Sequence, residues 1–255
     1  MKKHNTNVLV SIITPMYNSA TYIRDTLDSV VSQTYENWEI IVVDDFSTDE
    51  GRAIVEEYCQ LDKRINLISL AEKSPDGAIS VRNEGIKASR GRFIAFLDSD
   101  DIWDANKLEN QVDFMLNNQI AFSYADYRVC NEENTKILSI YRAPKKVSYS
   151  DLCKSNSIGC LVAMYDASIL GKIYNENSPK REDLATWLKI LKKVDYAYNV
   201  GQVLATYRLR KASVSSKKRK LIKYQWYMYR KVENIGLLKS IFYLIATIVN
   251  KIFKY

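Results

Sequence analysis

Acidic residues recur in this chain at spacings that could bring them together. Asp98-Ser99-Asp100-Asp101 follows five consecutive apolar residues, Phe93 to Leu97, beyond the turn signal Arg90-Gly91. A continuous apolar run of this length reads as a strand covered on both faces, as in a parallel sheet. Such a strand delivers the residues after it to the carboxyl edge of the sheet, where open α/β sheets bind ligands. In extended geometry Asp98 and Asp100 point the same way, about 7 Å apart along the chain. Their oxygens are hard donors, suited to Mg²⁺ or Mn²⁺ bridging a substrate's phosphates. A lone Asp-x-Asp is as a rule a solvated acidic loop, so its company matters. A second apolar run, Glu39 to Val43, ends in Asp44-Asp45. A nucleotide-binding half-fold could use one such carboxylate for a base or ribose and another for a metal. A further pair, Glu182-Asp183, opens an amphipathic helix with Leu184, Trp187, Leu188 and Leu191 at helical spacing. The helix dipole favours acids in a first turn, so capping alone also accounts for this pair.

The elements that would position these groups alternate. Val8 to Thr14 is a first buried strand, ended by Pro15. Asn18 or Ser19 can cap a helix carrying Tyr22, Ile23, Leu27, Val30 and Val31 on one face. After the strand Glu39–Val43, Ser47 or Thr48 can start a helix with Ile54, Val55, Tyr58 and Leu61 inward. Ile65 to Leu70 is a third strand, a helix runs from about Ile79 to Ala88, and the strand at Phe93 comes next. Strands and helices alternating at this spacing predict right-handed βαβ units and an α/β chain with a mostly parallel central sheet flanked by helices. The second half is less regular. Lys107 to Asn117 reads as a helix, and Ile120 to Val129 as an extended segment with Tyr124, Asp126 and Arg128 on one side. Ser157 to Met164 is another apolar stretch, and Val203 to Tyr207 a last strand before Arg208-Leu209-Arg210-Lys211.

Composition narrows the chemistry. The 255 residues permit one large domain, or one domain with an appendage. The single histidine, His4, nearly excludes a histidine-based triad or histidine-metal site, and the polar start around it lacks the apolar segment of a signal peptide. Cys59, Cys130, Cys153 and Cys160 form no Cys-x-x-Cys pair and read as reduced thiols in a cytosolic protein. Neither a Gly-x-Gly-x-x-Gly nor a Gly-x-x-x-x-Gly-Lys-Ser/Thr motif is present, which argues against a dinucleotide or P-loop enzyme. A phosphatase with Asp98 as nucleophile is disfavoured too, because Ile102 stands where such sites want threonine.

At this point the motifs match a family. The chain resembles the family 2 glycosyltransferases of GT-A fold over about residues 8 to 215. The match runs through Val10-Ser11-Ile12-Ile13-Thr14-Pro15-Met16-Tyr17-Asn18, Val42-Val43-Asp44-Asp45-Phe46-Ser47-Thr48-Asp49 and Val81-Arg82-Asn83-Glu84-Gly85-Ile86. It continues with Phe96-Leu97-Asp98-Ser99-Asp100-Asp101, Arg181-Glu182-Asp183 and Tyr207-Arg208. The resemblance implies that Pro15 and Tyr17 line the nucleotide pocket of a UDP-sugar donor. It implies that Asp45, or its neighbour Asp44, accepts from the uracil N3–H, with Arg82 beside the base. Asp98 would lie near the ribose and sugar, and Asp100 would hold Mn²⁺ or Mg²⁺. Asp183 would be the general base of an inverting transfer, with Glu182 positioning the acceptor. One departure stands out: where many relatives carry histidine after the Tyr-Arg pair, this chain has Arg210. An arginine is a poor metal ligand but pairs with phosphate oxygens, so a diphosphate contact is expected there. Bacterial relatives that build O-antigen or capsule, surface polysaccharides that include lipopolysaccharide, act on undecaprenyl-diphosphate-linked sugars. That implies such an acceptor here, with glucose or galactose transferred. The alternative is a non-catalytic nucleotide-sugar-binding scaffold, which would need neither Asp100 nor Asp183.

The net charge of +7 is concentrated late. Lys217-Lys218-Arg219-Lys220, Lys223, Arg230 and Lys231 mix with Tyr224, Trp226, Tyr227 and Tyr229. Ile235 to Tyr255 is apolar but broken by Lys239, Asn250 and Lys251, leaving an uncharged run of 11 residues between the lysines. A span needs about 20. Residues 216–255 are therefore expected to form a basic, aromatic, amphipathic helical segment beyond a domain of residues 1–215. It would either pack on that domain or sit peripherally on the cytoplasmic face of the inner membrane. Nucleic acid is the weaker reading of the same basic block.

Overall fold

The computed structural model describes residues 8–175, 182–210 and 218–253, with the backbone alone for 218–221 and 251–253. His4, Arg181, Lys211 and Lys217 lie outside the described residues. The first half is a βα alternation: β1 (Val10–Met16), α1 (Ile23–Val31), β2 (Trp38–Asp44), α2 (Gly51–Leu61), β3 (Ile65–Ser69), α3 (Ala78–Ala88) and β4 (Phe93–Phe96). These four strands pair in parallel in the order β3-β2-β1-β4. Met16 lies opposite Asp44, and Ile13 opposite Phe96, so the ends of β1, β2 and β4 open on one edge. All of β2 and β4 is buried, as strands covered on both faces should be. Gly85 explains how closely α3 approaches: a Cβ there would stand 2.6 Å from the Ile13 side chain.

The second half extends the same sheet. Its elements are β5 (Ile102–Trp103), α4 (Lys107–Asn117), β6 (Phe122–Cys130), β7 (Ile137–Tyr141), β8 (Lys146–Val147), α5 (Tyr149–Lys154), β9 (Met164–Asp166), α6 (Ala167–Leu170), α7 (Glu182–Leu191) and β10 (Ala197–Arg208). From β4 the order runs β9-β6-β10-β5, with β7 on β6 and β8 on β10. The apolar stretch Ser157–Met164 yields a 3-10 turn at Cys160–Val162 and the start of β9, which is antiparallel to both β4 and β6 and joins the two parallel parts. Trp187 of α7 packs edge-on against Phe96, with ring centres 5.4 Å apart, and against Phe122 at the same distance. That aromatic clamp fixes the helix whose first residues are Glu182 and Asp183. The chain ends in α8 (Lys218–Tyr227), a π-helical turn at Met228–Val232 and α9 (Leu237–Phe253). No helix among the described residues is long and apolar enough to cross a membrane.

Local expectations fail where side chains find better partners. Neither Asn18 nor Ser19 caps α1 through its side chain, and neither Ser47 nor Thr48 caps α2. Instead the two loops bond each other: Asn18 N donates to Ser47 Oγ at 2.9 Å, and Thr48 N donates to Asn18 Oδ1 at 2.8 Å. Asp49 accepts from Gly51 N and Ala20 N, tying the start of α2 to the loop after β1. Val31 and Leu61, expected inward, are exposed. Each is the last residue of its helix and lies on the flank of the apolar stripe.

The opposite edge of the sheet is held by one buried acid. Glu39 accepts from Ser11 Oγ at 2.6 Å and from Arg90 N at 2.8 Å, and it pairs with the Arg90 guanidinium at 2.7 Å. Burial pushes this carboxyl up, but the Ser11 hydroxyl and the Arg90 amide and guanidinium together hold it below its usual 4.5. A group with a lowered folded value contributes stability above its unfolded value and loses it on acidification. Glu39→Ala is therefore expected to cost about 2–3 kcal/mol at neutral pH, measured by urea unfolding. The gap between the two proteins should shrink as pH falls below 4.5. A gap that stays constant down to acid pH would contradict this assignment.

Candidate active site at the carboxyl edge of the sheet

The ends of β1 and β2 form one wall. Pro15 is the penultimate residue of β1, and Tyr17 follows it, 43% exposed under the Lys73 ammonium at 3.7 Å. Asp44 ends β2 and is buried, where its carboxylate receives Ser47 N at 3.2 Å. Asp45 is buried as well; its N–H donates to Met16 O and its Oδ1 accepts from Ser74 N at 2.7 Å. Asp44 thus shapes its own turn, while Asp45 draws in the 71–77 loop that leads to α3.

The central acids do not stay extended. Past β4 the chain turns back, with Asp101 N donating to Asp98 O at 3.1 Å, and Ser99 Oγ meets Ser19 Oγ at 2.8 Å. Asp98 and Asp100 are therefore not alternating strand residues, as their spacing predicts, but sit in a turn, each with its own arginine. Arg82 Nη2 donates to Asp98 Oδ1 at 2.6 Å, and Arg210 Nη1 donates to Asp100 Oδ2 at 3.0 Å. Asp101 Oδ1 accepts from Arg208 N, so this acid anchors the end of β10. Burial, and then the neighbouring Asp98, raise the Asp100 carboxyl above the ordinary range, against the pull of Arg210.

Arg82 joins the third acidic pair to the second. It projects from α3 with only 14% of its side chain exposed, and its Nη1 reaches Glu182 Oε1 at 3.1 Å. A bridge across 100 residues of sequence fixes the start of α7 over the end of β4. Beside it Asn83 and Asn175 exchange hydrogen bonds, and Asn175 Nδ2 donates to Glu182 O at 2.9 Å. Asp183 accepts from Asn156 Nδ2 at 2.8 Å, just beyond α5. Cys160 lies among these charges: burial pushes its thiol well up, Arg82 opposes, and Asp98, Asp183 and Glu182 add to the rise.

Arg82, Asp98, Glu182 and Asp183 are thus one cluster, with Asp100 and Arg210 one turn away and Pro15, Tyr17, Asp44 and Asp45 along the same edge. At ordinary strand spacing the ends of β2 and β4, separated by β1, stand about 10 Å apart, the scale of a nucleotide. Sequence reasoning misses Asn156, Asn175 and Cys160. The first two act through single hydrogen bonds that no periodicity marks, and Cys160 has the look of an ordinary thiol. Among the described residues no group of three or more acids, cysteines or histidines is arranged to hold a metal. A divalent ion here would rest on Asp100 and on oxygens brought by the ligand.

The chain is similar to known proteins in sequence and in fold. A model of the family described as glycosyl transferase family 2 matches residues 11–169. The chain is 43% identical over 236 residues to the putative teichuronic acid biosynthesis glycosyltransferase TuaG of Bacillus subtilis, covering 92% of this chain and 93% of the relative. It is 44% identical to an Escherichia coli protein named UDP-Glc:alpha-D-GlcNAc-diphosphoundecaprenol beta-1,3-glucosyltransferase WfgD, over 86% of this chain and 84% of that one. Among solved structures it superposes on S. aureus TarS 1-349 in complex with UDP-GlcNAc with TM-score 0.73 at 21% identity, covering 94% of this chain and 71% of that one. It also superposes on the mannosyltransferase PcManGT of Pyrobaculum calidifontis, in complex with GDP-Man and Mn2+, with TM-score 0.67 at 18% identity, covering 93% and 68%. At such identities the structures speak for the GT-A fold; the family match and the relatives speak for the chemistry. The chain belongs to glycosyl transferase family 2 and is a glycosyltransferase.

Proposed function

We propose that this glycosyltransferase moves a hexose, glucose or galactose, from a UDP-sugar to a sugar carried on a lipid diphosphate, with inversion at the anomeric carbon, in surface polysaccharide synthesis. The observation that carries the reading is the Arg82-centred cluster, which joins the acids after β4 to the pair that opens α7. The name of the Escherichia coli relative supports the donor and acceptor kinds. Asp183 takes the proton of the acceptor hydroxyl as that oxygen bonds the anomeric carbon and the bond to the diphosphate breaks. Asn156 orients the carboxylate for this. Glu182, ion-paired to Arg82, serves to position the acceptor. Arg82 also fixes Asp98, which faces ribose and sugar, while Asp45, Pro15 and Tyr17 take the uracil end with Asp44 bracing the turn.

Mn²⁺ or Mg²⁺ fits Asp100, since such ions bind through one or two carboxylates plus substrate phosphates. When bound, the ion neutralises charge on the departing diphosphate. Arg210, which is paired with Asp100, supplies a second cation for the phosphate oxygens. Asp100→Ala is expected to weaken UDP binding in Mn²⁺ by about tenfold or more and to erase the difference between runs with and without the metal, read by calorimetry. A variant that still responds to Mn²⁺ would sink the assignment. The reading as a whole is tested by offering nucleotide sugars with a synthetic GlcNAc-diphosphate-lipid acceptor. UDP-glucose or UDP-galactose should yield a β-linked product; consumption of another nucleotide's sugar alone would overturn it.

A further inference from the structure

The last helix is folded with its polarity reversed. α9 turns Ser240, Tyr243, Thr247 and Asn250 toward the protein. Tyr243 OH donates to Ser150 Oγ at 3.3 Å, Thr247 Oγ1 donates to Cys153 O at 3.3 Å, and Asn250 Nδ2 donates to Lys154 O at 3.3 Å. Tyr243 is buried and Leu244 packs on the core, but most of the helix's other large apolar residues face out. Leu238 is 83% exposed, and Ile241, Phe242, Ile245, Ile248 and Val249 are exposed as well. At 100° per residue these six fall within a sector of about 120°, opposite the bonded residues. A surface helix normally does the reverse, so this stripe calls for something apolar to cover it.

Charge decides between the candidates. Residues 217–255 hold ten lysines and arginines against one acid, Glu233, while the whole chain nets +7. Two copies meeting through this face about a two-fold axis would set one basic block against the other. An anionic lipid surface would instead take the apolar stripe into its headgroup boundary and attract the basic residues that this segment carries in its sequence. The helix, about 25 Å long, is too short to span a bilayer of about 30 Å and suits lying along it.

We infer that the outward face of α9 beds into the surface of an anionic membrane and carries the enzyme to an acceptor held there. This deepens the reading of a lipid-linked acceptor and rests on it only for the purpose of the contact. The geometry links the two: α9 is fastened to α5, and Asn156, three residues beyond Cys153, holds Asp183. The surface that meets lipid and the carboxylate that meets the acceptor are thus held by one short segment.

The test uses the full chain and sugar-free vesicles. It should sediment with vesicles containing phosphatidylglycerol and bind phosphatidylcholine alone far more weakly, with salt weakening the first. Leu238→Glu/Phe242→Glu/Ile245→Glu should lower that binding at least about tenfold. Its helical circular dichroism, and its transfer to a short-chain soluble acceptor, should stay unchanged. Full-chain protein that ignores anionic vesicles, or a triple variant that binds them as well, would overturn the inference. So would a wild-type dimer that the triple variant dissociates while vesicle binding is absent, because a second copy would then cover the face. Vesicle binding without sugar transfer would sink the proposed reaction and leave this surface standing.

Discussion

Asp183→Asn should retain donor affinity within about twofold and lose transfer by about a thousandfold, the scale of a positioned general base. The substitution keeps the shape of the side chain and an oxygen for the Asn156 amide, so its cost falls on the proton and not on the fold. The kinetic signature is set by when the base acts. Proton removal belongs to the transition state, so kcat should fall while the UDP dissociation constant stays put. The neighbouring acid offers the control. Glu182 is tied to Arg82, and Glu182→Gln should lower transfer less than Asp183→Asn does. Near-normal transfer by Asp183→Asn would show that the base lies elsewhere.

Arg82→Met should destabilise the protein and disable it together. The guanidinium is the cation between Asp98 and Glu182, whose side chains keep 32% and 27% of their exposure. Removing one member of a buried ion pair leaves an uncompensated charge, which costs about 3–5 kcal/mol when burial is complete. With the two acids partly solvated, about 2–3 kcal/mol is expected by urea unfolding. Asp98 and Glu182 would also repel, moving the start of α7 away from β4. Transfer should therefore drop by more than about a hundredfold even at temperatures where the variant is folded. Arg82→Lys keeps the charge and loses the fork that reaches both acids, so it should recover stability better than activity. A stable Arg82→Met with ordinary kinetics would contradict the bridging role.

The parts of this site that the sequence displays are those generated by short-range pattern. Apolar runs ending in Asp44-Asp45 and in Asp98-Ser99-Asp100-Asp101 announce strands that stop at one edge, and the strands do stop there. The helices over 79–88 and 107–117 appear where periodicity puts them. What the pattern hides depends on distant partners. Arg82 meets Glu182 across 100 positions, and nothing at either end predicts the other. Asn18 and Ser47 abandon capping because each finds the opposite loop first. β9, three residues long, is too short for a period to show in the sequence and is set by its place between β4 and β6. For the C-terminal segment the sequence allows two arrangements, packing on the domain or lying at a membrane; α9 packs through its polar face and leaves the apolar one outward.

Every role assigned to these residues requires that the acids after β2, after β4 and at the head of α7 serve a single bound donor. A crystal structure of the chain with UDP and Mn²⁺ tests this most directly. The uracil should lie by Asp45 and Tyr17, and the diphosphate by Asp100 and Arg210, with Asp183 facing the vacant sugar position. A nucleotide bound away from that edge, or one whose diphosphate approaches neither Asp100 nor Arg210, would contradict it.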